Sequence, residues 1–259
     1  MSDAAADVEG LPQPRARSFG AVADDYDRLR PATPQAALDW LLPARARRVL
    51  DLGAGTGGTT RALLERGLDV VAVEPDERMR EVLAARAAGA TVLAGAAEEI
   101  PLPAADVDAV VVSSAWHWFD PEQAPAEVAR VLRPGGRLAV LWNGRDGEVP
   151  WMSALEEAVR TDGMTAAPSA RRYREVDLPD GLPFGPGERH EVRWSRSMTP
   201  GDVVALMGTY SGVLSLVPQE RAARLAAAAR LLAEHPDTAG RELIEVPFVA
   251  RCWRADRLG

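Results

Sequence analysis

"RVLDLGAGTGG", residues 48–58, is the stretch on which the fold turns. A short apolar run, Val49 to Leu52, carries Asp51 inside it, and four glycines follow within the next six positions, at 53, 55, 57 and 58. Glycines spaced this way let a chain bend sharply and let a ligand come close to the backbone. The next residues, "TTRALLERG" (59–67), read as a helix that stops at Gly67. Its first turn offers unpaired N–H groups and a positive dipole end to polar or anionic ligand atoms. Strand, glycine turn and helix form one half of a nucleotide-binding unit. "DVVAVE" (69–74) supplies the following strand and ends in Glu74, twenty-one positions after Gly53. A carboxylate at that point is placed to receive both hydroxyls of an adenosine ribose.

Outward from this unit the rhythm repeats. "TPQAALDWLL" (33–42) reads as a helix with Thr33 as its cap and Pro34 first. "DERMREVLAARAAG" (76–89) is a helix capped by Asp76 and closed by Gly89. "TVLAG" (91–95), "DAVVVSS" (108–114) and "RLAVLW" (137–142) are strands, with a helix over "PEQAPAEVARVL" (121–132). The strands are unbroken Val, Leu and Ala runs, as expected of strands buried on both faces of a parallel sheet. Alternating strands and helices predict a doubly wound α/β sheet. After Trp142 come helices over 151–161, 199–209 and 218–235, a Pro-, Gly- and Arg-rich stretch at 163–187 read as a loop or lid, and two late strands. "EVRWSRS" (191–197) and "LIEVPFVARCW" (243–253) extend the sheet as an antiparallel pair, with Pro247 marking an edge, a bulge or a strand start. The expected architecture is a mostly parallel seven-stranded sheet with an antiparallel C-terminal strand and a helical cap. It forms a single domain over 19–259, with a disordered tail at 1–18 and a cap drawn from 19–43 and roughly 150–235.

Composition removes several chemistries. The chain of 259 residues contains no lysine, all thirty Lys and Arg positions being arginine, so Schiff-base chemistry on a lysine is excluded. One cysteine, Cys252, and three scattered histidines give neither an internal disulfide nor a zinc-ligand spacing, so no metal is expected. A net charge of −8 argues against a nucleic-acid partner. No apolar run has the length of a membrane span, and the N-terminus resembles neither a signal nor a transit peptide, so a cytoplasmic protein without membrane contact is expected. Oligomeric state is not legible.

The glycine run fits two ligands. Gly53, Gly55 and Gly58 match the dinucleotide spacing G-x-G-x-x-G, while Gly53, Gly55 and Gly57 match G-x-G-x-G. Three features favour S-adenosylmethionine. Asp51 would repel a pyrophosphate at the turn and attract an ammonium. "GAAEEIPLP" (95–103) places the Ala97 amide and Glu98 beyond the third strand, where an adenine edge is read. "SSAWHWFD" (113–120) puts three aromatics and His117 at the end of the fourth strand, walls suited to a cation and an apolar acceptor.

Taken together, "FGAVADDYDRLRP" (19–31), "VLDLGAGTG" (49–57), "VVAVEPDERM" (70–79), "GAAEEIPLP", "AWHWFD" (115–120) and "VLRPGGRLAVLW" (131–142) resemble class I S-adenosylmethionine-dependent methyltransferases, nearest to the small-molecule group that includes trans-aconitate methyltransferase-like proteins. The resemblance implies that Gly53, Ala54 and Gly55 contact the methionyl part, with Asp51 near its ammonium. Glu74, followed by Pro75, holds the ribose. Met79 packs on adenine, and Ala97 with Glu98 reads its edge. Ser114 joins the cofactor set, as do Tyr26 and Arg30 near the cofactor carboxylate or the acceptor. Where many relatives carry an acid for the adenine amino group, this chain has Ala96. Trp116, Trp118, Trp142 and Tyr210 are the expected acceptor-binding residues, and His117 is the candidate general base. The expected reaction is methyl transfer to a small molecule at a carboxylate or hydroxyl oxygen. A carboxylate would need no base and would suit an arginine clamp, for which 171–196 is rich in candidates. Two alternatives stay open: a cofactor-binding protein without transferase activity, and an NAD-dependent oxidoreductase.

Overall fold

In the computed structural model the described residues are 29, 32–160 and 176–259. Seven strands form one sheet: β1 (Arg48–Leu52), β2 (Asp69–Val73), β3 (Thr91–Leu93), β4 (Val107–Ser113), β5 (Leu132–Arg145), β6 (Glu188–Met198) and β7 (Ile244–Asp256). Their order across the sheet is β3-β2-β1-β4-β5-β7-β6. β1 to β5 pair in parallel, while β7 lies antiparallel to both β5 and β6. Only β7 therefore runs against the rest. The order reverses between β1 and β4, so the connections leaving these two strands diverge and open a crevice at their carboxyl ends, where doubly wound sheets bind ligands.

Helices α1 (Gln35–Leu41), α2 (Gly58–Leu64) and α3 (Glu77–Arg86) accompany the first strands, and α4 (Gln123–Val131) precedes β5. Leu38, Leu41 and Leu63 pack with Val49, Val70 and Leu141 in one core, and Val128 and Val131 pack with Leu50, Val110 and Val140 in another. Burial on both sides explains the unbroken apolar strands: β1 is buried from Val49 to Leu52. Helices α5 (Pro150–Val159), α6 (Pro200–Gly208), α7 (Ser211–Leu214) and α8 (Pro218–Glu234) build a cap. Its own core joins Trp151, Met152, Leu206, Leu232, Phe248 and Leu29. No helix among the described residues is long and apolar enough to cross a membrane.

Local chemistry sets most boundaries where the sequence places them. The Asp76 carboxylate accepts from the Met79 N–H at 2.9 Å, and the Thr199 hydroxyl from the Asp202 N–H at 3.1 Å, with Pro200 opening α6. α1 differs: its cap is Pro34, because the Thr33 hydroxyl is bound to the Thr59 hydroxyl at 2.8 Å instead. β5 begins five residues earlier than the run 137–142 suggests, since "RPGG" forms a bulge inside it, with Val107 opposite Leu132 and Ala109 opposite Arg137. Pro247 lies inside β7, which is not an edge strand. It pairs with Ser195 on β6, and on its other side its carbonyl accepts from the Asp146 N–H at 3.0 Å, one residue beyond the end of β5. The proline nitrogen faces the same side and has no proton to return that bond; the Asp146 carbonyl accepts from the Val149 N–H at 3.2 Å instead, so the pairing of β5 with β7 stops here. The expected tail at 1–18 and most of the loop at 163–187 lie outside the described residues.

Candidate cofactor site at the switch point

A cavity of about 460 Å³ opens at the carboxyl ends of β1, β2, β4 and β5, a size within the range of small-ligand sites. Its floor is the glycine turn. The Gly53 and Ala54 N–H groups both donate to the Val73 carbonyl, at 2.9 and 3.1 Å, tying the turn to the end of β2. Gly53 has φ +71°, and a Cβ there would lie 2.8 Å from the Ala115 methyl, so only glycine lets the turn after β1 meet the turn after β4. Gly55 has φ +56°, and a Cβ there would meet nothing within 4 Å. Its bareness serves no packing; it leaves backbone open to a ligand.

Glu74 follows β2 and is oriented by two backbone donors. The Gly55 N–H reaches Oε2 at 2.9 Å and the Asp76 N–H reaches Oε1 at 3.0 Å. A carboxylate accepts about four hydrogen bonds, so both oxygens keep lone pairs for a pair of hydroxyls. Asp51 lies beneath the turn, fully buried at the cavity floor. The Thr60 hydroxyl donates to its Oδ2 at 2.6 Å, while Oδ1 has no hydrogen-bond partner. Burial, with a smaller contribution from the Glu74 charge, pushes the Asp51 carboxyl up to about 7 against the opposing Thr60 hydrogen bond. A buried oxygen without a donor, under an open backbone, suits a cationic ligand group and disfavours a pyrophosphate.

Pro75, Met79, Ser114 and Trp118 complete the set of predicted residues that line the cavity with Asp51, Gly53, Ala54, Gly55 and Glu74. Ser114 sits at φ +57°, unusual for a residue with a side chain, its N–H donating to the Leu141 carbonyl at 2.8 Å. Trp118 stands 65% exposed at the mouth. The other predicted residues are placed elsewhere. Trp116 turns into the sheet core and meets Phe119 edge-on at 5.9 Å. His117 rests against the Trp118 ring at 4.7 Å without lining the cavity, and burial lowers its pKa. Trp142 packs on the sheet core, and Tyr210 lies under the Arg145 guanidinium at 3.8 Å in the cap. Ala97 is core, and Glu98 accepts the Asp120 N–H at 2.8 Å, so neither borders the cavity. Tyr26 and Arg30 lie outside the described residues. Of the arginines in 171–196, Arg193 is engaged by Asp146 at 3.0 Å and Glu148 at 2.6 Å.

Sequence reasoning missed Ala32, Thr33, Thr59 and Asn143, which line the cavity, and counted Phe119, which also lines it, only as one of three aromatics after β4. Phe119 and Asn143 carried a usable signal, since one follows β4 and the other stands in the last residues of β5, both at the switch point. Thr33 and Thr59 did not, because their pairing across the start of α2 exists only in the folded chain.

This strand order, with the bare turn and oriented acid at its switch point, defines the class I methyltransferase architecture. A methyltransferase-domain family model matches residues 50–140. The chain is 48% identical over 238 residues to an uncharacterized methyltransferase of Mycobacterium tuberculosis, covering 92% of this chain and 95% of that one. It is 32% identical over 213 residues to a methyltransferase-like protein of Schizosaccharomyces pombe, covering 79% and 82%. A solved structure from Anaeromyxobacter dehalogenans, a candidate type II methyltransferase, aligns with a TM-score of 0.63 at 27% identity, covering 88% and 97%. The chain belongs to the class I S-adenosylmethionine-dependent methyltransferases.

Proposed function

We propose that this methyltransferase binds S-adenosylmethionine in the switch-point cavity and passes its methyl group to a small organic acceptor, at a carboxylate or hydroxyl oxygen. The observation that carries the reading is the pairing of Glu74, oriented by the Gly55 and Asp76 N–H groups, with the partnerless Asp51 oxygen beneath the same turn. Glu74 would hold the ribose hydroxyls, the Gly53–Gly55 backbone and Asp51 the methionyl end, and Met79 the adenine face. The bound cofactor supplies a methyl group already activated on a sulfonium sulfur. What the protein adds is alignment of the acceptor oxygen with that methyl group and exclusion of water.

In the transfer a C–O bond forms as the C–S bond breaks, its electron pair staying on sulfur. A carboxylate acceptor has no proton to lose; a hydroxyl must give one up. Among the described residues the cavity lining includes no histidine, and His117 lies against Trp118 instead. This favours a carboxylate acceptor, consistent with the small-molecule, trans-aconitate-type resemblance of the motifs. Trp118 and Phe119 would form the acceptor-side wall.

Calorimetric titration with S-adenosylhomocysteine and with NADH tests the cofactor. Binding of the first and not the second supports the reading; the reverse outcome overturns it in favour of an oxidoreductase. Glu74→Ala should weaken homocysteine-nucleoside binding by about ten- to a hundredfold, the scale of losing hydrogen bonds to a charged acceptor. Incubation with methyl-labelled cofactor and a pool of small organic acids then tests transfer. Tight binding with no labelled product from acids, alcohols or amines would favour the non-catalytic alternative.

A further inference from the structure

One part of the cavity wall is a short segment that belongs to neither helix nor strand. Ala32 and Thr33 line the cavity just before α1. The Thr33 hydroxyl is paired with the Thr59 hydroxyl at 2.8 Å, at the start of α2 directly after the glycine turn. The Ala32 carbonyl accepts from Asn143 Nδ2 at 2.7 Å. Three residues earlier, Leu29 is buried in the cap core.

Asn143 stands at the carboxyl end of β5 and itself lines the cavity. Its Oδ1 accepts from Trp194 Nε1 at 3.1 Å, and the Trp194 ring is stacked on Phe248 at 4.9 Å. The two neighbours demand opposite chemistry from one side chain. Trp194 offers only a donor and the Ala32 carbonyl only an acceptor, so the group between them must accept on one side and donate on the other. A carboxamide does both; an aspartate of the same shape cannot donate. The rigid indole thus aims the amide, and the amide aims the segment.

We propose that Asn143 is a positioning residue that holds the Ala32–Thr33 segment as a fixed wall of the cofactor cavity, and that this hold sets how long the cofactor stays bound. The proposal rests on the cofactor reading above. It makes β5 and β6, remote from the glycine motif in sequence, part of the cofactor machinery, and it gives Trp194 a function beyond packing.

The test compares Asn143→Asp, Trp194→Phe and wild type. In Asn143→Asp the donor to the Ala32 carbonyl is gone and a negative charge faces that oxygen. S-adenosylhomocysteine should leave about 5–20-fold faster, as for one lost hydrogen bond that a charge makes worse. KM for S-adenosylmethionine should rise in proportion, with kcat at saturation within about twofold of wild type. Hydrogen exchange at the Ala32 and Thr33 backbone N–H groups should speed up in the free variant, with exchange within α8 unchanged; general loosening of the fold would speed both. Trp194→Phe keeps Asn143 and should shift release in the same direction by less, so the proposal stays testable if the aspartate variant does not fold. Release unchanged in both variants overturns the proposal, whether or not exchange at Ala32 and Thr33 is faster, because the wall would then not govern residence. If the wild type does not bind the nucleoside at all, the cofactor reading falls, and the exchange comparison alone decides whether Asn143 holds the segment.

Discussion

Asp51 ties stability to pH and, under the proposed function, to cofactor binding as well. Its carboxyl is pushed up to about 7 from an ordinary value of 3.8, burial being the main cause. Between those values the folded chain keeps a proton that the unfolded chain has lost. Raising pH through this window therefore costs stability, and the whole penalty is present above pH 7. Asp51→Asn removes the titration. It should raise Tm relative to wild type at pH 8, with a gain that shrinks toward pH 5, read by thermal scans. Each kcal/mol recovered is worth about 2–4 °C in a chain of this size. The same substitution should weaken S-adenosylhomocysteine binding, because the ammonium loses its negative counterpart. In wild type, affinity should climb from pH 6 to pH 8 as Asp51 ionises; a flat profile would refute its role. Asp51 and Glu74 were legible in the sequence because each sits at a fixed offset from a strand end. That Asp51 is shut away under Gly53, with Thr60 on one oxygen and nothing on the other, was not legible.

The glycine turn separates two roles that one motif makes look alike. Gly53→Ala would push a methyl into Ala115, already 2.8 Å from where its Cβ must sit, at φ +71°. It should destabilise the protein by about 1–3 kcal/mol through overpacking and strain. Gly55→Ala meets open space, so it should cost only the backbone strain of about 1 kcal/mol while blocking the ligand. Denaturation and calorimetric binding run side by side check the contrast: Gly53→Ala loses stability first, Gly55→Ala loses affinity first. Loss of stability larger at Gly55 would invert the assignment. Helices with a local cap, such as α3 behind Asp76, were readable in outline, because the signal is a few residues long. α1 was displaced by one residue because Thr33 is used by a distant partner, and the bulge at "RPGG" was hidden because it depends on what β4 presents alongside.

Across the whole molecule, the cap core and the sheet share β7. Phe248 is fully buried in the cap core while its strand is paired to β5 and β6. Phe248→Ala should cost about 3–5 kcal/mol, and unfolding should remain one transition by circular dichroism and by fluorescence, because the shared strand couples the two parts. Two separated transitions would show that the cap melts by itself. It should also loosen Trp194, which stacks on Phe248, and through it Asn143.

The sequence alone determined the doubly wound sheet, the glycine turn and the acid after β2, because each depends on residues close together along the chain and on strand ends shared by one edge. Tertiary structure decided which side chains border the cavity. A short helical turn carries Trp116 into the core and Trp118 to the mouth. Asn143, Thr33 and Thr59 come together only when β5, the segment before α1 and the start of α2 converge. Spacing along the chain carries no information about such neighbours, since their proximity comes from the packing of remote elements.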